Sequence, residues 1–264
     1  MRLSEQTRNI DRDVLATCRR QLGRNFVTLL CEGSRAHGDD LPDSDYDGMC
    51  YVRDVRRARL DLGAIRRKYG LRIGAGIKPV SEFLGCVSSR RGLLQCPNRA
   101  HLVAMKLGRA RLVGGRDLLR LLPPASRLLP PDWKREAQRD YWLAILPVPC
   151  NVYRRESRRH VGFIIAICDS LLLAKRVVVQ KKDLPAALRR HHPKFHAVGL
   201  LRRALRRRAV WPRLEHDRRT QREARADLDK FLAELRRYVF RGDGTDLTAP
   251  EARAEFMALW NVMK

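Results

Sequence analysis

Residues 26–52 read FVTLLCEGSRAHGDDLPDSDYDGMCYV. Phe26 to Cys31 is a short apolar run with a β-branched residue, closed by the turn Glu32-Gly33-Ser34, and it predicts a buried strand. After a loop rich in Asp and Gly, Tyr46 to Val52 predicts a second strand. The period-two rule puts Asp45 and Asp47 on one face of it and Tyr46 on the other. Gly33 lets backbone approach a ligand closely, and Ser34 brings a hydroxyl and an N–H to the turn, where a phosphate oxygen can be held. Two carboxylates two residues apart on extended chain set hard oxygen donors side by side, the donor type Mg²⁺ takes.

On either side, the periodicity predicts an α/β domain followed by a helical one. Val14, Leu15, Cys18 and Leu22 are at helical spacing from Arg12 to Leu22, with Gly23 as a stop. Arg56 to Lys68 has the look of a basic helix, and Leu71 to Lys78 predicts a third strand ended by Pro79. Pro123, Pro124, Pro130 and Pro131 cannot continue a helix and make stiff connections, so a boundary belongs there. The domains are expected at 1–124 and 125–264. Beyond the prolines, helices are predicted at Trp133–Leu146, His160–Val178, Leu184–Arg190, Val198–Arg208 and Leu228–Phe240, with a last short one from Pro250 to Trp260.

Composition narrows the function classes. The 264 residues carry 55 Lys+Arg against 29 Asp+Glu, a formal charge of +26 that attracts polyanions and repels cationic small molecules. No apolar run approaches the roughly 20 residues of a membrane-spanning helix. The charged start MRLSEQTRNIDRD lacks the apolar stretch of a secretory signal, so a cytoplasmic protein is expected. The seven cysteines include no C-x-x-C pair and are expected as reduced core thiols, not zinc ligands with His191, His192 or His196.

Gly33-Ser34 followed by Asp45-Tyr46-Asp47 resembles the signature of the nucleotidyltransferase superfamily. His101 to Lys106, Leu112 to Leu118 and Leu172 to Leu188 are similar in order and spacing to aminoglycoside adenylyltransferases of the streptomycin/spectinomycin type. The resemblance implies an α/β (α+β) fold: a small mixed-sheet nucleotidyltransferase domain, then an all-helical domain that closes over the nucleotide. It implies Mg²⁺ on Asp45 and Asp47, and an NTP, ATP first, bound at Gly33, Ser34 and Arg35. The same likeness gives Lys182 the triphosphate, with Lys181 as the alternative. Transfer of a nucleoside monophosphate to an acceptor, with release of pyrophosphate, is the implied reaction.

Two departures bear on that reading. The resembled enzymes carry a third carboxylate, a general base, on the strand matching Leu71 to Lys78, whereas here one face holds Arg72, Gly74, Gly76 and Lys78 and the other Leu71, Ile73, Ala75 and Ile77. Glu156 is taken as the catalytic acid in its place, with Glu82 and Asp169 as alternatives. Residues 150–225 also carry 21 Lys+Arg against 6 Asp+Glu, a surface that suits RNA or tRNA better than a polycationic antibiotic. Three acceptor classes stay open: RNA, a protein hydroxyl and an aminoglycoside. A degenerate, nucleic-acid-binding nucleotidyltransferase fold is the non-enzymatic alternative, and the paired Asp45 and Asp47 speak against it.

Overall fold

In the computed structural model, β1 (Phe26–Glu32), β2 (Tyr46–Val52), β3 (Ile73–Pro79) and β4 (Ala110–Gly115) form one sheet of order β3-β2-β1-β4. The structure describes residues 3–41, 44–95, 99–128, 132–146, 157–214 and 217–263. β1 is antiparallel to β2 and β4, while β2 and β3 run parallel, so the sheet is mixed. Leu29, Leu30 and Cys31 are wholly buried, as an interior strand covered on both faces requires. The chain divides into two compact units, Met1–Leu129 and Pro130–Lys264.

The first unit contains α1 (Leu3–Leu22), the single turn α2 (Gly33–His37), α3 (Gly63–Tyr69), α4 (Val80–Val87), α5 (Arg90–Gln95) and α6 (Arg99–Ala104). Ile10, Val14, Cys18 and Leu22 of α1 join Ile65 of α3 over one face of the sheet, on Leu29, Cys31, Tyr46, Cys50, Val52 and Ile73. On the other face, the Tyr51 ring meets Phe83 of α4 edge-on at 5.6 Å.

α1 begins well before the expected Arg12. Its first half is anchored by polar side chains, Thr7 and Asp11, which apolar periodicity does not register. The basic stretch from Arg56 is helical only from Gly63. Ala58 and Leu62 are buried ahead of it, and Asp61 Oδ1 caps the helix start by accepting from the Gly63 N–H at 2.7 Å.

The second unit is helical: α7 (Trp133–Ile145), α8 (Ser157–Leu173), α9 (Leu184–His191), α10 (Val198–Leu214), α11 (Arg218–Val239) and α12 (Ala249–Met263). α8 is apolar nearly all round, with Val161, Phe163, Ile164, Ile167, Cys168, Leu171 and Leu172 buried, and it packs against α7, α9, α10 and α11. It ends earlier than its pattern predicts, because Arg176 turns into the left-handed region at φ 56° and Val177 and Val179 then lie along the core. α11 begins ten residues before the expected Leu228, where Asp217 accepts from the Arg219 and Thr220 N–H groups. No helix among the described residues is long and apolar enough to cross a membrane. Cys18, Cys31, Cys50, Cys86 and Cys168 are free thiols; Cys96 and Cys150 lie outside the described residues.

Candidate active site

The end of β1 and the start of β2 bring the sequence motifs together. Gly33 has a φ of 68°, and a Cβ built on it would stand 2.7 Å from Asp47 Oδ2. Only glycine fits here, on both conformation and space. The turn is therefore in contact with a carboxylate of the Asp pair. Ser34 follows in α2, and its carbonyl accepts from the Asp39 N–H at 2.9 Å, folding the Asp-rich loop back on the turn.

Asp45 precedes the first residue of β2 and is half-buried, and Asp47 is exposed. Between them Tyr46 is wholly buried on the opposite face, donating its hydroxyl to Asp11 Oδ1 at 2.9 Å. Asp11 Oδ2 accepts from Arg111 Nη2 at 2.7 Å, so one buried carboxylate of α1 ties β2 to β4 behind the site. Burial also drives the Tyr46 phenol well above its ordinary range, which keeps it a neutral donor.

Arg35 does not face the nucleotide position that the sequence assigns it. Its side chain is fully buried, and the guanidinium donates to the Ser44 carbonyl from Nε at 3.1 Å and Nη2 at 2.8 Å, and to Thr7 Oγ1 at 2.9 Å. The planar fork is satisfied inside the protein, which leaves it no reach toward a ligand. Ser44 is also bridged to Leu41, its Oγ accepting from the Leu41 N–H at 2.8 Å. Arg35 thus fixes the backbone immediately ahead of Asp45.

The strand register adds an acid that the motif reading passed over. Glu32 lies opposite Asp47, and cross-strand partners share a face. Glu32 Oε1 is buried and 3.2 Å from His101 Nε2 of α6, without the alignment of a hydrogen bond. On the other flank of Asp47 stands Gly74 of β3, with nothing within 4 Å of where its Cβ would be. The floor beside the Asp pair is therefore open on one side and acidic on the other. Glu32 stood next to Gly33 in the quoted stretch, but only pairing of the strands makes it a neighbour of Asp47.

The remaining candidates lie elsewhere. Glu82 pairs with Lys78 at 3.6 Å, Lys182 is exposed on the turn Lys181–Asp183 of the second unit, and Glu156 lies outside the described residues. Arg154 and Arg155 are likewise outside them. Two arginines of the expected basic surface are engaged within the unit: Arg203 donates to Asp227 at 3.1 and 3.0 Å, and Arg207 pairs with both Asp227 and Glu223.

Among the described residues, no three His, Cys, Asp or Glu side chains converge as a metal site. An ion at Asp45 and Asp47 would take its other oxygens from phosphate and water, which is how Mg²⁺ is usually held. The donor set and the open space beside it fit that ion.

A mixed sheet with a Gly-Ser turn at the end of one strand and an Asp-x-Asp at the start of the next, joined to a helical unit, is a nucleotidyltransferase fold. The chain is similar to spectinomycin adenyltransferase AAD(9) from Enterococcus faecialis, whose crystal structure contains ATP and spectinomycin. The TM-score is 0.54 at 16% sequence identity, covering 86% of this chain and 98% of that one. No protein-family model and no curated sequence matches the chain.

Proposed function

We propose that this protein is a Mg²⁺-dependent nucleotidyltransferase that moves the nucleoside monophosphate of an NTP, ATP foremost, to an acceptor hydroxyl and releases pyrophosphate. The observation that carries the reading is the contact of the Gly33 turn with the Asp47 carboxylate, since it joins a phosphate-binding backbone to a metal-binding acid. Similarity to an adenyltransferase crystallised with ATP supports the same choice of nucleotide.

Gly33 and Ser34 would hold phosphate oxygens with backbone N–H groups and a hydroxyl, and Asp45 and Asp47 would hold the ion. When bound, Mg²⁺ neutralises charge on the triphosphate and the departing pyrophosphate. The acceptor oxygen forms its bond to the α-phosphorus as the bond to the bridging oxygen of pyrophosphate breaks. Glu32 is the acid we assign to take the proton of the acceptor hydroxyl, steadied by His101, in the role that the sequence offered to Glu156. Lys182 is assigned to the triphosphate as the helical unit closes. Such positioning and charge neutralisation leave little covalent chemistry for the protein.

For the acceptor we favour RNA, tRNA first, because the formal charge of +26 attracts a polyanion. An aminoglycoside is the second reading, favoured by the spectinomycin in the similar structure. An NTP-consuming reaction of this kind is assigned to the cytoplasm.

Calorimetric titration of nuclease-treated protein with ATP and GTP, with and without Mg²⁺, tests the proposal beside the double variant Asp45→Asn/Asp47→Asn. Metal-dependent binding that disappears in the variant is the expected result. Absence of binding by either nucleotide would leave a nucleic-acid-binding protein on a nucleotidyltransferase fold.

A further inference from the structure

The helical unit contains a cavity of about 540 Å³ that the proposed reaction does not use. It is bounded by Lys134 at the start of α7, Lys194 and His196 between α9 and α10, and Glu234, Arg237 and Tyr238 on α11. Glu234 is committed on both oxygens, accepting from the His196 backbone N–H at 3.3 Å and from Arg237 Nη2 at 2.6 Å. Its one negative charge is set against three cationic side chains, so the lining keeps a positive surplus.

Tyr238 gives the cavity a second chemical character. The Leu171 carbonyl can only accept, so the contact at 3.0 Å puts the His192 proton on Nε2. Nδ1 then accepts, and the Tyr238 hydroxyl donates to it at 2.9 Å. His192 is 1% exposed, and burial lowers its affinity for a second proton, which keeps this direction of donation. With its proton committed inward, the Tyr238 oxygen offers the cavity lone pairs.

We propose that this cavity binds the phosphate monoester of a small hydroxylated molecule, of the sugar-phosphate or nucleotide class. Lys134, Lys194 and Arg237 take the phosphate, and Tyr238 accepts from a ligand hydroxyl. The volume is in the range of small-molecule sites, roughly 300–1,000 Å³, and one aromatic ring is a poor platform for successive bases. Every lining residue belongs to the second unit, and none is among Gly33, Ser34, Asp45 or Asp47.

The test is therefore run on the full chain carrying Asp45→Asn/Asp47→Asn, so that failure of the proposed nucleotidyl-transfer site does not enter the result. Ribose 5-phosphate, ribose, inorganic phosphate and a single-stranded 12-mer RNA are titrated by calorimetry. Ribose 5-phosphate is expected to bind at one site, more tightly than inorganic phosphate, with no binding of ribose. Lys194→Gln alters an exposed side chain and is expected to weaken ribose 5-phosphate about tenfold through loss of a charge-assisted contact. Tyr238→Phe is expected to weaken ribose 5-phosphate and leave inorganic phosphate unchanged. Equal binding of ribose and its phosphate, or no effect of Lys194→Gln, overturns the proposal. Lys194-dependent binding of the RNA without binding of ribose 5-phosphate overturns it too, in favour of a nucleic-acid surface.

Discussion

Gly33 concentrates the constraints on the site in one residue. Its positive φ would strain any side chain by roughly 1 kcal/mol, and the 2.7 Å approach to Asp47 Oδ2 adds a direct clash with the carboxylate. Gly33→Ala is expected to displace Asp47 and weaken Mg²⁺-dependent ATP binding at least tenfold. Thermal melting should fall by only a few degrees, because the new methyl meets the end of a side chain and not the core. Unchanged ATP affinity in this variant would separate the turn from the nucleotide. Neighbouring Tyr46 has the opposite bearing: its hydroxyl serves Asp11, so it belongs to the scaffold although it sits between the two acids.

At the scale of elements, α1 does more than cover the sheet. Thr7 and Asp11, one helical turn apart, receive Arg35 on one side and Tyr46 with Arg111 on the other. The loop before Asp45 is thus hung on a helix through a buried guanidinium. Arg35→Ala is expected to leave the Ser44 carbonyl without these donors and to cost on the order of 3 kcal/mol in urea denaturation. It should also raise the KM for ATP, although Asp45 itself is untouched. Full stability with normal KM would show that Leu41 and Ser44 hold the loop alone.

Over the whole molecule, the large positive charge is partly neutralised within the fold. Burial opposes the charge on Asp227, but Arg203 and Arg207 win and hold its carboxyl below the ordinary 3.8. Its folded form releases a proton more readily than the unfolded chain does. The associated stability is present above pH 3.8 and is lost as pH falls through the lower folded value.

Asp140 on α7 has the reverse sign. Burial pushes its carboxyl from 3.8 up to about 7, against the pull of Arg139. Stability from the protonated form is present below pH 3.8 and is lost as pH rises through about 7. Thermal melts should therefore separate two variants. Asp227→Asn is expected to lower Tm at pH 7, with the difference shrinking toward pH 3. Asp140→Asn is expected to raise Tm at pH 8 and leave it unchanged at pH 4. Parallel offsets at every pH would contradict both assignments.

Several features are properties of the chain itself. The apolar run before Gly33, the spacing to Asp45-Tyr46-Asp47 and the helical periodicity after the prolines are local, and they imply a mixed-sheet and helical fold without reference to distant residues. Polar anchoring escapes that kind of reading: the first half of α1 shows no apolar period, and Arg35 beside a phosphate turn resembles a ligand contact until its burial is known. Strand register and helix packing bring together residues far apart in sequence. They set Glu32 opposite Asp47, His101 against Glu32, and Lys134 with Lys194 and Tyr238 around one cavity. Sequence by itself determined the element types and the chemistry at the turn, because backbone propensity and spacing act over a few residues. Only the tertiary structure decided which charges face a ligand and which face one another, because that depends on burial and on through-space neighbours.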